Sequence, residues 1–280
     1  MVASVNIDHP GKSCAALEVE SVLGQSTVTS AFASTPLKLL TPRSRGESVW
    51  ACTSSFGGGF VAGDETRLNL RIGRNARCFL GTQASTKIYR NPRRRACGHV
   101  TSATIEENAL LVFAPDPVQP FAGSSYTQRQ TFHLGAGAGL VLVDWFTSGR
   151  AARGERWVFD RFQSRNEVFL SGQRIFMDSI LLEPATDPIT SPHRTGRFNC
   201  FALLLLIGDP LQLTAASLLE AISASPVKRG AVLVASASPV RHGAILRVAG
   251  ESVEQVGLEL HHQLRFASAL LGDDPWARKW

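Results

Sequence analysis

A chain of 280 residues, 44% hydrophobic and 19% charged, is long and apolar enough to bury a core, which excludes an intrinsically disordered polypeptide. A formal charge of +6 is modest, and the longest apolar run, FALLLLI at 201–207, falls far short of the roughly 18 residues that span a bilayer. Five cysteines, at 14, 52, 78, 97 and 200, lack CxxC spacing and fit reduced thiols in a cytosolic protein. The opening residues, MVASVNIDHPGKSC, have no apolar core and do not read as a secretory signal. The expectation is a cytoplasmic protein that does not enter a membrane.

In chain order, the first distinctive stretch is SFGGGFVAGD, 55–64. A phosphate loop would need its glycines to open a helix. Here ETRLNLRIG follows, in which Leu68, Leu70 and Ile72 alternate with Arg67, Asn69 and Arg71, the period of a half-buried strand. Gly57, Gly58, Gly59 and Gly63 therefore read as a turn with positive φ or close approach of two strands. Next comes a basic loop, YRNPRRRACGH, with Arg90, Arg93, Arg94 and Arg95, and with Cys97 and His99 flanking a glycine. Two potential ligands are too few for a metal site. One arginine loop without interleaved aromatics does not make a nucleic-acid-binding module, although that remains a third reading.

Three segments then echo one another: LRIGRNARCFLGTQ from Leu70, ATIEENALLVFAPD from Ala103 and FHLGAGAGLVLVDW from Phe132. Each is an apolar strand, a tight turn with a small residue (Ala76, Ala109, Ala138) and a second strand, with 33 and then 29 residues between the alanines. Repetition on this scale points to stacked β units, with a two-layer sandwich as the alternative. FALLLLI reads as a buried strand, and GAVLVASAS with GAILRVAG as a strand pair. Helices are expected at 209–225, with Asp209–Pro210 at its start and Leu211, Leu213, Leu218, Leu219 and Ile222 as its stripe, and at 252–272, with a Ser252-x-x-Gln255 capping box and a stop at Gly272. Residues 273–280 form a polar tail carrying Trp276 and Trp280.

No GxSxG, HExxH, CxxC or P-loop pattern occurs. The notable acids are Asp64 beside the glycine turn, Asp116 in APDPVQPF, Asp144 after LVLV, Glu155 after GRAARG and Glu183 at the end of SILLE. A carboxylate bordering an apolar strand must be hydrogen-bonded, paired or wet. Each has a plain reading as a turn or strand-end acid. Paired carboxylates also hydrolyse glycosides, so a β-helical carbohydrate-active hydrolase is the alternative function.

SFGGGFVAGD, CFLGTQASTKIYR, LLVFAPDPVQPFAGSSYTQ and VDWFTSGRAARGERWVF, in this order over roughly residues 50–185, together resemble the urease accessory protein family UreD, also called UreH. Ala62 stands where that family commonly has glycine, and the Arg93–Arg95 loop is an embellishment. Beyond about residue 190 the expectations rest on periodicity. The resemblance implies one UreD-like domain over 1–280: a mainly β fold, a β-helix-like stack of sheets with two helices near the C-terminus. The family-matching β region is about 50–185 and the mixed region about 190–272. It implies a non-catalytic maturation factor that binds apo-urease and a UreF-like helical protein, and through UreF a UreG-like GTPase. Nickel would pass transiently through a hydrated tunnel, with no tightly bound cofactor. Motif by motif, the residues for that route are Asp64, Asp144, Thr82, Ser85 and Thr86, with Glu183 added from its strand-end position. Trp276 and Trp280, with the late helices, are the expected docking surface for UreF. A passage lined by carboxylates, hydroxyls and water would hold nickel(II) weakly enough to release it.

Overall fold

A computed structural model of the chain describes residues 13–92 and 95–277. The chain enters as a hairpin, β1 (Ser13–Val22) and β2 (Gln25–Ala33), followed by the short β3 (Leu37–Leu40). It then winds. One coil is β4 (Val49–Ser55), β5 (Gly59–Phe60) and β6 (Glu65–Ile72), and the next is β7 (Arg77–Thr82), β8 (Thr86–Ile88) and β9 (Cys97–Ile105). A third is β10 (Leu110–Phe113), β11 (Val118–Pro120) and β12 (Ser125–Leu134); the last is β13 (Gly139–Thr147) and β14 (Arg161–Leu170).

Corresponding strands of successive coils pair in parallel: β4, β7, β10 and β13 on one wall, β6, β9, β12 and β14 on the opposite wall. The short β5, β8 and β11 form a narrow third side. Parallel stacking of strands that alternate between walls is a solenoid, so the sandwich alternative, which needs antiparallel sheets, is set aside.

The corner that begins each coil explains the repeat. Ala76 and Ala109 are completely buried and Ala138 nearly so. Each follows a residue in the left-handed region: Asn75 at φ 59°, Asn108 at φ 55° and Gly137 at φ 66°. Asparagine and glycine are the residues that occupy this region most readily. The corners are tied by backbone bonds, Leu110 N–H to Ala76 O and Gly139 N–H to Ala109 O, each 2.9 Å. Leu110 thus pairs with Arg77, 33 residues earlier, and with Gly139, 29 residues later, the spacing of the alanines. The glycine turn of 55–64 also behaves as read: Gly57 has φ 79°, and a Cβ on Gly59 would lie 2.2 Å from the carbonyl oxygen of Lys87.

Antiparallel strands finish both walls. β15 (Gln173–Leu182) pairs with β14, while β16 (Cys200–Gly208) pairs with β13 and then with β18 (Gly243–Gly250), which pairs with β17 (Leu233–Val240). The result is a 7-stranded sheet, β15-β14-β12-β9-β6-β1-β2, facing an 11-stranded one that includes the path β17-β18-β16-β13-β10-β7-β4-β3. Helices α1 (Gln212–Ser223), α2 (Val253–Gln263) and α3 (Ala267–Leu271) cover the outside of the larger sheet. This makes FALLLLI apolar throughout: Leu203, Leu205 and Ile207 enter the core between the sheets, and Ala202, Leu204 and Leu206 enter the core beneath the helices.

Two helix expectations change in detail. Asp209–Leu211 forms a separate 3-10 turn, and the Asp209 side chain caps nothing; Leu213 is 85% exposed because it lies five residues before Leu218, off the buried stripe. The 252–272 segment starts as expected, with Gln255 N–H donating to Ser252 Oγ at 3.3 Å, and stops at Gly272 with φ 75°. It is broken between α2 and α3. Buried Val256, Leu260, Leu264, Ala267 and Leu271 keep a three-and-four spacing through the break, so the pattern does not register it.

Candidate functional site

Most inward positions of the smaller sheet are apolar, but two rungs near one end are not. Because side chains alternate and the parallel strands stay in register, Thr66, His99, Gln128 and Ser164 fall side by side on one rung. The next rung is Leu68, Thr101, Gln130 and Asn166, continued by Asp178 on β15. From the facing sheet, Asp144 on β13 meets these rungs. Its carboxylate accepts from Gln128 Nε2 at 3.0 Å, Ser164 Oγ at 2.7 Å and Asn166 Nδ2 at 2.7 Å. Gln130 Nε2 donates to Asn166 Oδ1 at 2.8 Å, and Tyr126 Oη to Gln128 Oε1 at 3.2 Å. These bonds satisfy a set of interior polar groups that would otherwise oppose folding.

Asp144 is the polar exception among the inward residues of its strand, after Leu140 and Leu142 and before Phe146. Burial pushes its carboxyl above the ordinary range, and nearby Asp178 adds to the rise; the hydrogen bonds from Asn166, Ser164 and Gln128 oppose it. Asp178 itself accepts from Arg247 at 2.6 Å. Arg247 shares a rung with Asp144 across β16.

His99 is held at both nitrogens. Thr66 Oγ1 donates to Gly98 O at 3.2 Å, so at 2.7 Å it accepts from His99 Nδ1–H. Nε2 then accepts from Thr101 Oγ1 at 3.2 Å. Burial lowers the imidazole to about 4, which keeps it neutral at physiological pH.

Two cavities meet at Asp144. A narrow one of about 50 Å³ is lined by Thr82, Thr86, His99, Asp116, Gln128 and Asp144, among others, and has room for ordered water. A wider, open cleft of about 380 Å³ runs from Asp144 past Asp178 and Arg247, between β15 and the strands β16–β18. What exposure Asp144 keeps is toward these spaces.

The residues expected to line a route divide. Thr82, Thr86 and Asp144 line the narrow cavity. Thr82 donates to Asp116 Oδ2 at 2.9 Å and accepts from the Asp116 backbone N–H at 2.7 Å. Asp64 is outside it: its carboxylate accepts from the backbone N–H of Val61 at 2.9 Å and closes its own turn. Ser85 is half-buried in the loop before β8, and Glu183 pairs with Arg161 at 3.2 Å beyond the end of β15. Trp276 packs edge-on against Phe79 at 5.3 Å and beside His261 at 6.1 Å, which anchors the tail to the helical side. Trp280 lies outside the described residues.

The sequence alone does not single out His99, Gln128, Gln130, Asn166 and Asp178 for this site. Their signal is present as polar residues at the inward, otherwise apolar positions of neighbouring strands. Reading it requires the 33- and 29-residue registers to be applied to both walls. Among the described residues there is no cluster of three or more His, Cys, Asp or Glu side chains fit to hold a metal ion tightly. In the narrow cavity the oxygens open to a cation are carboxylate and hydroxyl oxygens of Asp116, Asp144, Thr82 and Thr86. The amides of Gln128 and Asn166 turn their nitrogens toward Asp144.

The model of the family described as UreD urease accessory protein matches residues 12–280. Among similar proteins, the urease accessory protein UreD of Sorangium cellulosum is 48% identical over 262 residues, covering 92% of this chain and 81% of the relative. That of Anaeromyxobacter sp. is 40% identical over 262 residues, covering 94% and 88%. The urease accessory protein D of Oryza sativa subsp. japonica is 37% identical over 207 residues, covering 72% and 67%.

Proposed function

The chain belongs to the UreD family of urease accessory proteins, and from that membership we propose that it is a non-catalytic scaffold that conducts nickel toward apo-urease during maturation. In this reading it binds apo-urease and a UreF-like helical protein, and through the latter a UreG-like GTPase, in the cytoplasm. The observation that carries the reading is the meeting of two cavities at Asp144, a carboxylate held among side-chain amides and hydroxyls.

The route runs past Thr82, Thr86, Asp116 and His99 to Asp144, then along Asp178 into the open cleft. Nickel(II) is cargo here, so fast release matters more than affinity. A few carboxylates with hydroxyls and water attract the ion without enclosing it. Neutral His99 adds no repulsive charge to the lining. Asp64, Ser85 and Glu183 take turn and rim roles. The carbohydrate-hydrolase alternative needs two acids free to act on a sugar. Asp144 and Asp116 instead share a cavity of about 50 Å³, room for water but not for a sugar ring.

The test is an isosteric change, Asp144→Asn, in cells co-expressing apo-urease and the other accessory proteins. Nickel content and urease activity should fall together by at least tenfold while the accessory complex still co-purifies. Undiminished nickel loading by the variant would remove Asp144 from the route. Asp64→Ala, outside the cavity, should leave loading close to wild type.

A further inference from the structure

The outer face of the smaller sheet carries an arrangement that neither folding nor an interior route requires. Its arginines are mostly paired: Arg71 with Glu20 and Glu106, Arg165 and Arg174 with Glu167, and Arg161 with Glu183. Arg67 and Arg129 are exposed and, among the described residues, have no carboxylate partner within ion-pair distance. Both lie on one rung with Val100 between them, and Arg129 stands directly opposite Arg165. Like charges directly opposite on neighbouring strands destabilise a sheet. Arg165 is relieved by Glu167 at 2.9 Å; Arg129 is not.

Between Arg67 and Arg129 the surface dips. Gly98 occupies the neighbouring rung between Glu65 and Thr127 and has no side chain to fill it. The depression, about 490 Å³, is walled by both arginines, with half-buried Gly98 and exposed Val100 along its floor. It reaches Ala96, next to Arg95, whose guanidinium lies over Gly63. The described end of the arginine loop thus runs directly into this groove; Arg93 and Arg94 lie outside the described residues.

We propose that this groove is a docking surface for an acidic face of a partner protein, with Arg67 and Arg129 clamping two carboxylates about 10 Å apart across two strand spacings. Guanidinium forks match carboxylates in pairs, and about 10 Å is also seven residues along a helix. A protein fits better than nucleic acid. The floor of Gly98 and Val100 offers no phenyl or indole ring for a base to stack on.

The choice of partners to assay rests on the accessory role, but the surface does not depend on the nickel route. Failure of the route reading would leave nickel loading undiminished by Asp144→Asn, whereas failure of this surface would leave assembly untouched by its own mutation. The experiment uses the full chain carrying Arg67→Glu and Arg129→Glu, co-expressed with apo-urease and the other accessory proteins. Co-purification of at least one of them should fall at least tenfold, and the same contact in the wild type should weaken with added salt. The variant's melting temperature should be equal or higher, because the carboxylate introduced at position 129 would face Arg165. Wild-type recovery of every partner overturns the proposal. So does a lower melting temperature, or loss of binding to a labelled DNA duplex with all protein partners retained.

Discussion

The two faces of the larger sheet solve different problems. Toward the helices it is dry: Val141, Val143, Leu204, Leu206, Leu246 and Val256 interlock in an interface built almost wholly of carbon. Toward the smaller sheet it is equally apolar over most of its length, but at Asp144 the packing gives way to hydrogen-bonded amides, hydroxyls and cavities. A dry interface depends on volume, whereas a polar interior depends on every donor finding an acceptor. One face therefore serves stability, and one end of the other holds the candidate site at some cost to stability.

The contrast is sharpest in Leu204→Ala, which should cost about 2–5 kcal/mol, read by denaturant unfolding, because the cavity under α1 and α2 has no polar group to recruit water. A loss under 1 kcal/mol would mean that the helical face is loosely packed. On the polar side, acid should act through His99. Its folded pKa of about 4 lies below the ordinary 6.5, so the unfolded chain takes up the proton first. Stability present above pH 6.5 should then be lost as pH falls toward 4, by roughly 3 kcal/mol, and His99→Gln should flatten that fall. A variant with the same acid profile as wild type would break the assignment.

Asn166→Ala removes a donor from Asp144 and an acceptor from Gln130, with an expected loss of about 1–3 kcal/mol. Water from the adjoining cleft should hold the value to the lower half of that range, a compensation that Leu204→Ala lacks. The smallest effect is expected for Ser252→Ala, about 1 kcal/mol, since the cap on α2 is a single hydrogen bond at the edge of the dry interface. Any drop in nickel loading from Ser252→Ala beyond its loss of folded protein would contradict the separation of the two faces.

Much of the architecture is readable because it is local or periodic. The corner alanines and their preceding Asn75, Asn108 and Gly137 satisfy a backbone requirement that few residues meet, so they recur at the coil length. The fully apolar FALLLLI reports a strand covered on both faces. The site is half readable. Asp144, Thr82 and Thr86 are candidates from the sequence and line one cavity, but Asp64 and Glu183, equally suggestive as residues beside turns and strand ends, are bound to Val61 and Arg161. A strand-end acid looks the same in sequence whether it faces a channel or its own turn.

By itself, the sequence determined the strands of the repeating and C-terminal segments, the repeat that stacks the former and the family they belong to, since each depends on neighbouring residues or a fixed period. The strands β1 to β4 and β14 carried no such signal. Tertiary structure alone decided that His99, Gln128, Asn166 and Asp178 share an interior with Asp144, and that Arg67 and Arg129 share an outer rung. Those groupings arise from the register between coils and the facing of two sheets. Both are consequences of packing the whole solenoid, over separations that local pattern does not encode.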